Sequence, residues 1–539
     1  MSSLNLIMSG AYVGQELAAE FGMIPPAFLP VGVGRLYDLQ IELFKKTLGE
    51  KESIYLTLPE SFELSQYDKD ALREKNVSLL LVPDDKTLGE AIIYAINMLA
   101  SGPVSVRVLN GDTMFEKLPV ETDCVVTHED SDDYSWAVVK HRNFFVENFS
   151  QIKPSSEEAV VSPVACGFFS FSSSISLIRS LVIAKYNFVD ALNIYNNIFK
   201  MKVLPVDFWY DFGHLQNYFH SRRLVTTARS FNSMQITKYT VKKSSSDHFK
   251  MAAEANWLKS IPEAIQPYGV RIFNSGISED KSKSYYSTDY QYAPNLAELF
   301  VFSRVGRLTW NKILNSCADF LQAASLYKGS MPRDSYLSNL VHNKTNDRIN
   351  AYANDVGFDL DHPLSLNGEK FPSMREIVRR LQGYVKDDPT QFSTVMHGDF
   401  CFSNILYNSR TQRISVIDPR GYVFPNRAEI YGDIRYDIAK LSHSIIGFYD
   451  LIVAGRYSLS SQSPYEMTLE FECVPLRSWL KRKFSRLKIA GVATNSKEIQ
   501  AITALLFVSM LPLHADRPDR QRAFVANAVR LYSKIEEGV

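Results

Sequence analysis

Short apolar runs alternate with amphipathic stretches over the first ~225 residues. Four runs of five or six residues, rich in Val, Ile and Leu, predict β-strands. Two stretches with apolar side chains at helical spacing predict α-helices. Alternation of this kind is typical of a mixed or parallel sheet covered by helices, so this region is predicted to be α/β. The predicted strands are Leu4–Met8, Ser53–Leu58, Val77–Val82 and Val104–Leu109, and the predicted helices are Tyr37–Thr47 and Thr87–Leu99.

The pattern changes near residues 221–233, where arginines stand among few large apolar side chains. We place a domain junction there. Strands and a helix alternate again after it, and mostly helical spacing follows, which predicts an α+β domain built of two lobes. The predicted domains are residues 1–225 and 226–539, and the predicted lobes of the second domain are an N-lobe at about 226–295 and a helical C-lobe at about 296–539.

Composition and charge exclude several classes of protein. The 539 residues are 45% hydrophobic and 22% charged, with a formal net charge of +0, as in soluble globular proteins. Without a positive excess, neither nucleic acid nor an anionic membrane is an expected partner. No stretch approaches ~20 uncharged apolar residues, so we expect no membrane span. The five cysteines form no C-x-x-C pair, which fits a reducing cytoplasm. A homo-oligomer is compatible with this composition.

The strongest chemical motif is the segment H-G-D-F-C-F-S-N at residues 397–404, followed by a strand-like run that ends at Asp418. Asp399 precedes Asn404 by five residues, and the second acid ends an apolar strand. Phosphoryl transfer requires this set: one carboxylate receives the proton of the attacking hydroxyl, while an amide and a second carboxylate hold Mg²⁺ against the phosphates of ATP. The motif predicts a kinase.

A kinase also needs a cation for the α- and β-phosphates and a carboxylate that holds this cation. Lys243 ends a predicted strand, and Glu254 lies in residues 252–255, which begin a predicted helix. Lys242 is the competing cation, because alternation along a strand sends neighbouring side chains to opposite faces. The sequence favours Lys243 paired with Glu254 and leaves Lys242 as the alternative.

These residues resemble the aminoglycoside phosphotransferase and choline kinase family from about Arg229 to Leu511. The resemblance implies that Asp399 is the catalytic base and that Asn404 and Asp418 are the Mg²⁺ ligands in an ATP-dependent enzyme. Further markers are residues 417–421 (IDPRG) and 432–441 (GDIRYDIAKL).

The same resemblance implies that Asp433 or Asp437 supports the pocket for the acceptor. The acceptor itself is expected to be a small molecule with a hydroxyl group: a sugar, an amino alcohol such as choline or ethanolamine, or a polyol. A quaternary ammonium acceptor would need an aromatic cage. The aromatic residues available for such a cage are Tyr431, Tyr436, Trp310 and Phe448.

The first domain carries a second pair of acids. Asp112 follows an apolar run and is therefore predicted at the carboxyl end of a strand, where α/β sheets bind ligands. Asp211 lies about a hundred residues later, in the segment 207–214 (DFWYDFGH). Two carboxylates brought together by the fold could hold one Mg²⁺ on a nucleotide triphosphate.

With its other motifs, this domain resembles the sugar nucleotidyltransferases, whose fold is Rossmann-like. The resemblance implies that Asp112 and Asp211 bind metal, that Lys153 contacts a sugar phosphate, and that Gly89 lies close to the base of CTP or another nucleotide. The loop 9–15, which contains Gly10, would wrap the triphosphate. The shared segments are residues 25–31, 88–91, 132–136, 152–154 and 165–171.

The phosphate loop departs from that family. It contains no Arg, and Pro26 stands where a Lys usually follows the first proline. Without these cations the pyrophosphate leaving group loses charge stabilisation. Arg35 is nearby in sequence and is a candidate substitute. Two alternatives therefore stay open for this domain, an active nucleotidyltransferase and a fold that is kept for binding or regulation.

Together the two domains predict a bifunctional enzyme. The second would phosphorylate a hydroxyl of a small metabolite with Mg·ATP, and the first would transfer a nucleotidyl group to that phosphate. Fusion of consecutive steps raises the local concentration of the intermediate. The resemblance implies a role in the synthesis of surface polysaccharide or lipid headgroups. The alternatives are a kinase whose first domain binds a nucleotide or nucleotide-sugar, and a pseudokinase scaffold.

Overall fold

The chain divides into two compact units. The computed structural model describes residues 3–130, 137–151, 162–229, 234–329, 335–386 and 392–537. Unit 1 comprises residues 1–226 and 302–304, and unit 2 comprises residues 227–301 and 305–539.

Unit 1 is built on a mixed nine-stranded sheet. Nine of the strands of unit 1 form this sheet, and four form two separate pairs. The strands of unit 1 are β1 (Ser3–Met8), β2 (Pro30–Val31), β3 (Gly34–Arg35), β4 (Ile54–Pro59), β5 (Val77–Val82), β6 (Ser105–Asn110), β7 (Thr113–Phe115), β8 (Cys124–Asp130), β9 (Ala137–Arg142), β10 (Phe145–Gln151), β11 (Ser162–Phe171), β12 (Lys202–Pro205) and β13 (Trp209–Asp211). The order in the large sheet is β5-β4-β1-β6-β11-β8-β12-β10-β9. Strands β5, β4, β1 and β6 are parallel, while β2 pairs with β3 and β7 with β13.

Helices cover this sheet because its strands carry apolar side chains that need burial. Leu6 and Val108 of the sheet form one core with Ile92 and Leu177 of two helices. The helices are α1 (Gln15–Phe21), α2 (Leu36–Leu48), α3 (Gln66–Glu74), α4 (Leu88–Leu99), α5 (Ser174–Ile183), α6 (Phe188–Phe199) and α7 (Leu215–Arg229). Unit 1 is α/β as predicted, and the four predicted strands and two predicted helices are confirmed to within one residue at each end.

Unit 2 begins with a small antiparallel sheet and one helix. These are β14 (Met234–Ile236), β15 (Thr240–Ser245), α8 (His248–Ser260), β16 (Ile272–Ile277) and β17 (Ser284–Asp289), with the strand order β14-β15-β17-β16. Asp247 caps α8 by accepting the N–H of Lys250 at 2.9 Å. The helix therefore starts four residues before the predicted start at residue 252, because an Asp cap satisfies backbone donors at this earlier point.

The rest of unit 2 is mostly helical, with several short hairpins. The strands are β18 (Pro363–Leu366), β19 (Glu369–Ser373), β20 (Ser393–Val395), β21 (Ile405–Asn408), β22 (Arg413–Val416), β23 (Tyr431–Asp433), β24 (Ser458–Ser463), β25 (Glu466–Glu470), β26 (Lys488–Ile489) and β27 (Val492–Ala493). The helices are α9 (Leu296–Phe302), α10 (Arg307–Ser325), α11 (Lys344–Val356), α12 (Met374–Tyr384), α13 (Ile434–Ile445), α14 (Tyr449–Val453), α15 (Pro475–Ser485), α16 (Lys497–Met510) and α17 (Pro518–Glu537).

Helix α13 is the centre of this helical part, and every one of its residues is buried. It packs against α10 and α16. Unit 2 is therefore α+β as predicted, with a small sheet followed by a helical body. Across the described residues, no helix combines the length and the apolar character needed to cross a membrane.

Candidate active site

The H-G-D turn of unit 2, residues 397–399, is held by hydrogen bonds to α13. Both carboxylate oxygens of Asp437 accept backbone N–H groups, from His397 at 2.7 Å and Gly398 at 2.8 Å. Gly398 has φ +79°, and a methyl group on it would come within 2.6 Å of Arg420 Cβ, so only glycine fits there. The turn is thereby held in one conformation.

His397 braces the same turn and is not placed for proton transfer. Burial lowers its pKa to about 4, so the ring is neutral near pH 7. Its Nε2 lies 3.0 Å from the carbonyl oxygen of Ile417, and its Nδ1 lies 3.3 Å from the N–H of Asp399. The neutral ring therefore donates to Ile417 and accepts from Asp399, which links the turn to the strand that precedes Asp418.

Asp399 projects from the turn into a cavity and is partly exposed. Burial acts to raise its pKa, but the ammonium of Lys440, 2.9 Å away, outweighs this and holds the pKa below the usual range of an aspartate. The amide nitrogen of Asn404 donates to the other carboxylate oxygen at 2.8 Å. Asp399 is therefore an ionised carboxylate whose orientation is set on both sides.

Asn404 and Asp418 form a donor set that fits Mg²⁺. Because the nitrogen of Asn404 is engaged by Asp399, the carbonyl oxygen is the atom left for a metal. Asp418 adopts a left-handed conformation with φ +55°, which turns its side chain out of strand geometry. Among the described residues, no group of three or more His, Cys, Asp or Glu is arranged to hold a metal alone. Mg²⁺ commonly takes one or two carboxylates and completes its shell with phosphate oxygens and water.

Lys243, and not Lys242, reaches this site. Its ammonium lies 2.8 Å from Glu254 Oε2 and 3.1 Å from Asp418 Oδ1. The hydroxyl of Tyr286 donates to the same Glu254 oxygen at 2.8 Å. Lys242 instead lies over the ring of Tyr285, 4.3 Å from its centroid, on the opposite face of β15. Strand alternation thus places Lys243 in the cavity and Lys242 outside it, and the phosphate contact of Lys243 stays a prediction.

Five of the predicted residues of unit 2 line one cavity of about 390 Å³. Its lining includes Lys243, Glu254, Asp399, Asn404 and Asp418. The structure thus brings together five side chains that come from β15, α8, the H-G-D loop and the end of β22.

Asp433 and Asp437 are not among the described residues that line this cavity. Asp433 caps α13 and is ion-paired with Arg435 at 2.6 Å, with both side chains buried. Burial raises the pKa of Asp437 to about 7, and its two oxygens are occupied by the H-G-D turn. These contacts favour structural roles, and an acceptor role for either residue stays a prediction.

The aromatic residues considered for a cage are spread over different environments. Trp310 and Phe448 pack on Phe300, with ring centroids 6.0 and 6.1 Å from it. Tyr436 is buried and its hydroxyl lies 3.1 Å from the ammonium of Lys344. The cation beside Tyr436 would repel a quaternary ammonium group.

In unit 1, the fold brings the side chains of Asp112 and Asp211 close together, and their role as metal ligands stays a prediction. A methyl group on Gly213 would lie 2.6 Å from an oxygen of Asp112 and 3.3 Å from an oxygen of Asp211. Burial, and then the charge of Asp211, raise the pKa of Asp112 to about 6. The Nδ1 of His214 lies 3.1 Å from Asp211. Two facing carboxylates form an anionic site that a divalent cation would stabilise.

The loop 9–15 of unit 1 carries no basic side chain. Gly10 packs against Val82, where a methyl group would lie 3.3 Å from Cβ. In the same loop, the hydroxyl of Tyr12 hydrogen-bonds to Ser61, and Ser61 hydrogen-bonds to the carboxylate of Asp84. The ionisable side chain that is connected to this loop through Ser61 is therefore an acid, Asp84, and not a cation.

The other expectations for unit 1 have different outcomes. Arg35 is buried and ion-paired with Asp68 at 3.1 Å, and this ion pair argues against Arg35 as a substitute for the missing loop cation. Gly89 is buried at the start of α4, where a methyl group would come within 2.3 Å of the carbonyl oxygen of Tyr186. Close packing against Tyr186 therefore explains why residue 89 is a glycine. Lys153 lies outside the described residues.

Comparison with known proteins gives structural matches alone. No family model matches the sequence, and no curated protein sequence matches it. A nucleoside-diphosphate-sugar pyrophosphorylase from Vibrio cholerae RC9 is 10% identical and covers 41% of this chain and 100% of its own, with a TM-score of 0.34. CTP:phosphocholine cytidylyltransferase from Streptococcus pneumoniae is 16% identical over 42% of this chain and 100% of its own, with a TM-score of 0.30.

A second kind of protein also matches. The GDP complex of aminoglycoside 2'-phosphotransferase-IIIa is 12% identical and covers 59% of this chain and 98% of its own, with a TM-score of 0.32. The matches are thus of the two kinds that the sequence resembles. The roles proposed below rest on the geometry of this chain's own side chains.

The cavity also contains cations that the sequence did not single out. Lys440 lies inside the marker segment 432–441, but no spacing rule connects it to Asp399. Lys344 and Arg348 lie four residues apart on α11 and therefore share a helix face. Two cations at this spacing are a weak signal by themselves, because most such pairs lie on solvated surfaces.

Proposed function

We propose that unit 2 transfers the γ-phosphoryl group of Mg·ATP to a hydroxyl group of a small molecule. The observation that supports this most directly is the cavity in which a lysine paired with a glutamate, two aspartates and an amide meet. These are the parts that positioning and charge stabilisation of a phosphoryl group require. The residues are Lys243, Glu254, Asp399, Asn404 and Asp418.

In this proposal each side chain has one task. Lys243, held by Glu254, binds the α- and β-phosphates, and Asn404 Oδ1 with Asp418 holds Mg²⁺. Bound Mg²⁺ offsets the negative charge of the phosphates. Asp399 orients the acceptor hydroxyl. As the oxygen–phosphorus bond forms, the bond from the γ-phosphorus to ADP breaks, and ADP leaves with its electron pair.

The hydroxyl proton goes to Asp399. Because its pKa is low, Asp399 is ionised at any pH at which the enzyme would work, and it is a weak base. A weak base suffices when bond breaking leads bond formation, as in the loose transition states of phosphoryl transfer, because the attacking oxygen becomes acidic late in the reaction.

The experiment that tests the proposal is ADP release by the full-length protein with Mg·ATP and a set of small alcohols. Asp418→Ala should lower Mg-dependent ATP turnover roughly 10³-fold, which corresponds to about 4 kcal/mol of charge stabilisation. Asp355→Ala, which removes an exposed acid of α11, is the matched control and should change nothing. ATP turnover that is equal in wild type and Asp418→Ala would refute the proposal.

A second candidate function concerns unit 1. The convergence of Asp112 and Asp211 supports metal-dependent nucleotidyl transfer, in which a phosphate oxygen of the phosphorylated product attacks the α-phosphorus of CTP or another nucleotide and pyrophosphate leaves. With unit 2 this would be a bifunctional enzyme that makes an activated precursor for surface polysaccharide or headgroup synthesis. The ion pair of Arg35 with Asp68 favours the alternative, a unit 1 that binds a nucleotide or nucleotide-sugar without turnover.

Pyrophosphate release separates these two alternatives. The full-length protein is incubated with Mg²⁺, a phosphorylated acceptor and each of CTP, UTP, GTP and dTTP. Release that is lost in Asp112→Ala and kept in Asp190→Ala, an exposed acid of α6, supports the bifunctional enzyme. Nucleotide binding without release supports the regulatory alternative. ADP production by unit 2 should be equal in both variants.

A further inference from the structure

The cavity of unit 2 has a surplus of positive charge. Six basic and three acidic side chains line it. Each acid already has a basic partner, since Glu254 and Asp418 lie against Lys243 and Asp399 lies against Lys440. The other basic side chains of the lining are Lys250, which lies 4.0 Å from Glu254, and Lys344, Arg348 and Arg420.

Lys344, Arg348 and Arg420, which we call the cation cluster, have no carboxylate partner in the part of the chain that the structure describes. The ammonium of Lys344 lies 3.1 Å from the hydroxyl of Tyr436. Arg348 and Arg420 each donate to a backbone carbonyl oxygen, at 2.8 and 3.0 Å. A guanidinium has five N–H donors and an ammonium has three. These neutral partners therefore balance none of the charge, and they leave N–H donors open to a molecule in the cavity.

The cation cluster is unfavourable for the free protein. Burial, and then the charges of Arg420, Lys440 and Arg348 against the opposing effect of Tyr436, lower the pKa of Lys344 to about 8. Burial also lowers the pKa of Arg348. Like charges gathered at a partly buried site raise the free energy of the folded chain, and a bound anion would reverse this.

The cation cluster belongs to the acceptor side of the cavity. The charge of Lys344 acts on Asp399, and the charges of Arg420 and Arg348 act in turn on Lys344. Lys243 instead acts on Glu254 and is acted on by Asp418. Asp399 is the group proposed to receive the hydroxyl proton. Lys344 therefore lies on the side of the cavity that the hydroxyl compound would occupy, together with Arg348 of the same helix and Arg420 of the same cavity lining. The ATP phosphates have Lys243 as their own cation.

We infer that the acceptor is itself an anion: a small hydroxyl compound that also carries a carboxylate or phosphate group, bound by Lys344, Arg348 and Arg420. This inference rests on the phosphotransferase function proposed above and narrows its substrate class. Guanidinium groups match the two oxygens of a carboxylate or phosphate. Amino alcohols and aminoglycosides, which are cations, are excluded from the cavity by repulsion.

The first test compares acceptors that differ in charge. The full-length protein with Mg·ATP receives glycerol, glycerate and glycerol 3-phosphate, then glucose, glucuronate and glucose 6-phosphate, and finally choline, and ADP release is measured. We expect kcat/KM for an anionic member to exceed that of its neutral counterpart at least about 100-fold, as two charge-assisted hydrogen bonds would give. The carboxylate and phosphate members show which anion fits.

Equal or faster turnover of a neutral or cationic acceptor overturns the inference and leaves the phosphotransferase proposal standing. For the preferred anionic acceptor, Lys344→Met and Arg348→Met should each raise KM about 10- to 100-fold, with a smaller change in kcat. Lys370→Met removes an exposed lysine of β19 and is the matched control. An unchanged KM in both cluster variants also overturns the inference.

A binding measurement covers the case in which no acceptor of the set is used. Sulfate is titrated calorimetrically into the full-length protein with Mg²⁺ and a non-hydrolysable ATP analogue present. The analogue occupies the part of the cavity that is proposed to bind ATP. We expect saturable binding that weakens about 10- to 100-fold in Lys344→Met and Arg348→Met and not in Lys370→Met. Absence of binding, or equal binding by all four proteins, contradicts an anion site at the cation cluster.

Discussion

The two units each bring two aspartates together, but they surround them differently. In unit 2, Asp399 and Asp418 each lie against a lysine, at 2.9 and 3.1 Å. In unit 1, burial and then the facing charge of Asp211 raise the pKa of Asp112 to about 6, whereas the pKa of Asp399 is lowered.

This difference shows that the charge state of a carboxylate is set by its neighbours and not by its motif. Unit 2 holds Asp399 ionised before any ligand arrives, so this part of its cavity is organised for the charges of phosphoryl transfer. Unit 1 needs a cation to relieve the repulsion between its two acids. The variants below test that contrast.

The largest effect is expected for Asp399→Asn. Loss of the proton acceptor should lower kcat about 10²- to 10⁴-fold, the range for a general base. ATP binding should be nearly unchanged, because the nucleotide is held by Lys243 and the metal ligands. ADP release and ATP titration measure the two quantities. An unchanged kcat would remove Asp399 from the mechanism.

Lys243→Met should have the next largest effect. It removes the cation proposed for the phosphates and leaves Glu254 buried without its partner, so we expect kcat/KM for ATP to fall about 10- to 100-fold. Lys242→Met is the matched control, because its side chain lies on the other face of β15. The assignment fails if Lys242→Met is impaired and Lys243→Met is not.

Lys440→Met should change the pH dependence. Burial acts to raise the pKa of Asp399, and Lys440 overcomes this, so wild type should show no loss of kcat/KM on the acid side down to about pH 5. In Lys440→Met the pKa of Asp399 rises, the carboxylate protonates as pH falls, and we expect roughly a tenfold loss from pH 8 to pH 5. Lys440→Arg keeps the charge and should keep the flat profile. If kcat/KM of Lys440→Met is independent of pH over this range, Lys440 does not control the pKa of Asp399.

The smallest effect is a change in stability in unit 1. Asp112 titrates near pH 6 when folded and near pH 4 when unfolded, so the folded chain holds the extra proton between these values. The free energy of unfolding contributed by this group therefore falls as pH rises from about 4 to about 6. Asp112→Asn removes the penalty and should stabilise the protein by about 1–2 kcal/mol above pH 6.

Calorimetric unfolding at pH 4 and pH 8 measures this difference. Mg²⁺ should raise the Tm of wild type more than that of Asp112→Asn, since the cation relieves the same repulsion. If Asp112→Asn is equally destabilised at both pH values, the two carboxylates do not repel each other in the folded protein.

Much of the fold was predictable because its signals are local. The apolar runs of β1, β4, β5 and β6 and the capping box of Thr87 with Glu90 at the start of α4 are contained within a few residues. The closeness of Asp399 and Asn404 was also predictable, because one short loop carries both. Helix α8 was predicted to start too late, although its Asp247 cap was visible in the sequence.

The parts that were not predictable depend on distant contacts. Lys440 contacts Asp399 because α13 packs against the H-G-D loop. No pattern in the sequence predicts that contact. Arg35 shows the converse, because it is close in sequence to the phosphate loop yet is buried against Asp68. Proximity along the chain is therefore a poor guide to which cations serve a site.

The central claim is that unit 2 moves a phosphoryl group from ATP to a small hydroxyl compound. The most direct test is incubation of the full-length protein with Mg²⁺, γ-labelled ATP and a mixture of small metabolites, followed by separation of the labelled products. Our account predicts label in a small organic phosphate with wild type and almost none with Asp418→Ala. Equal labelling by the two proteins, or label in inorganic phosphate alone, would contradict it.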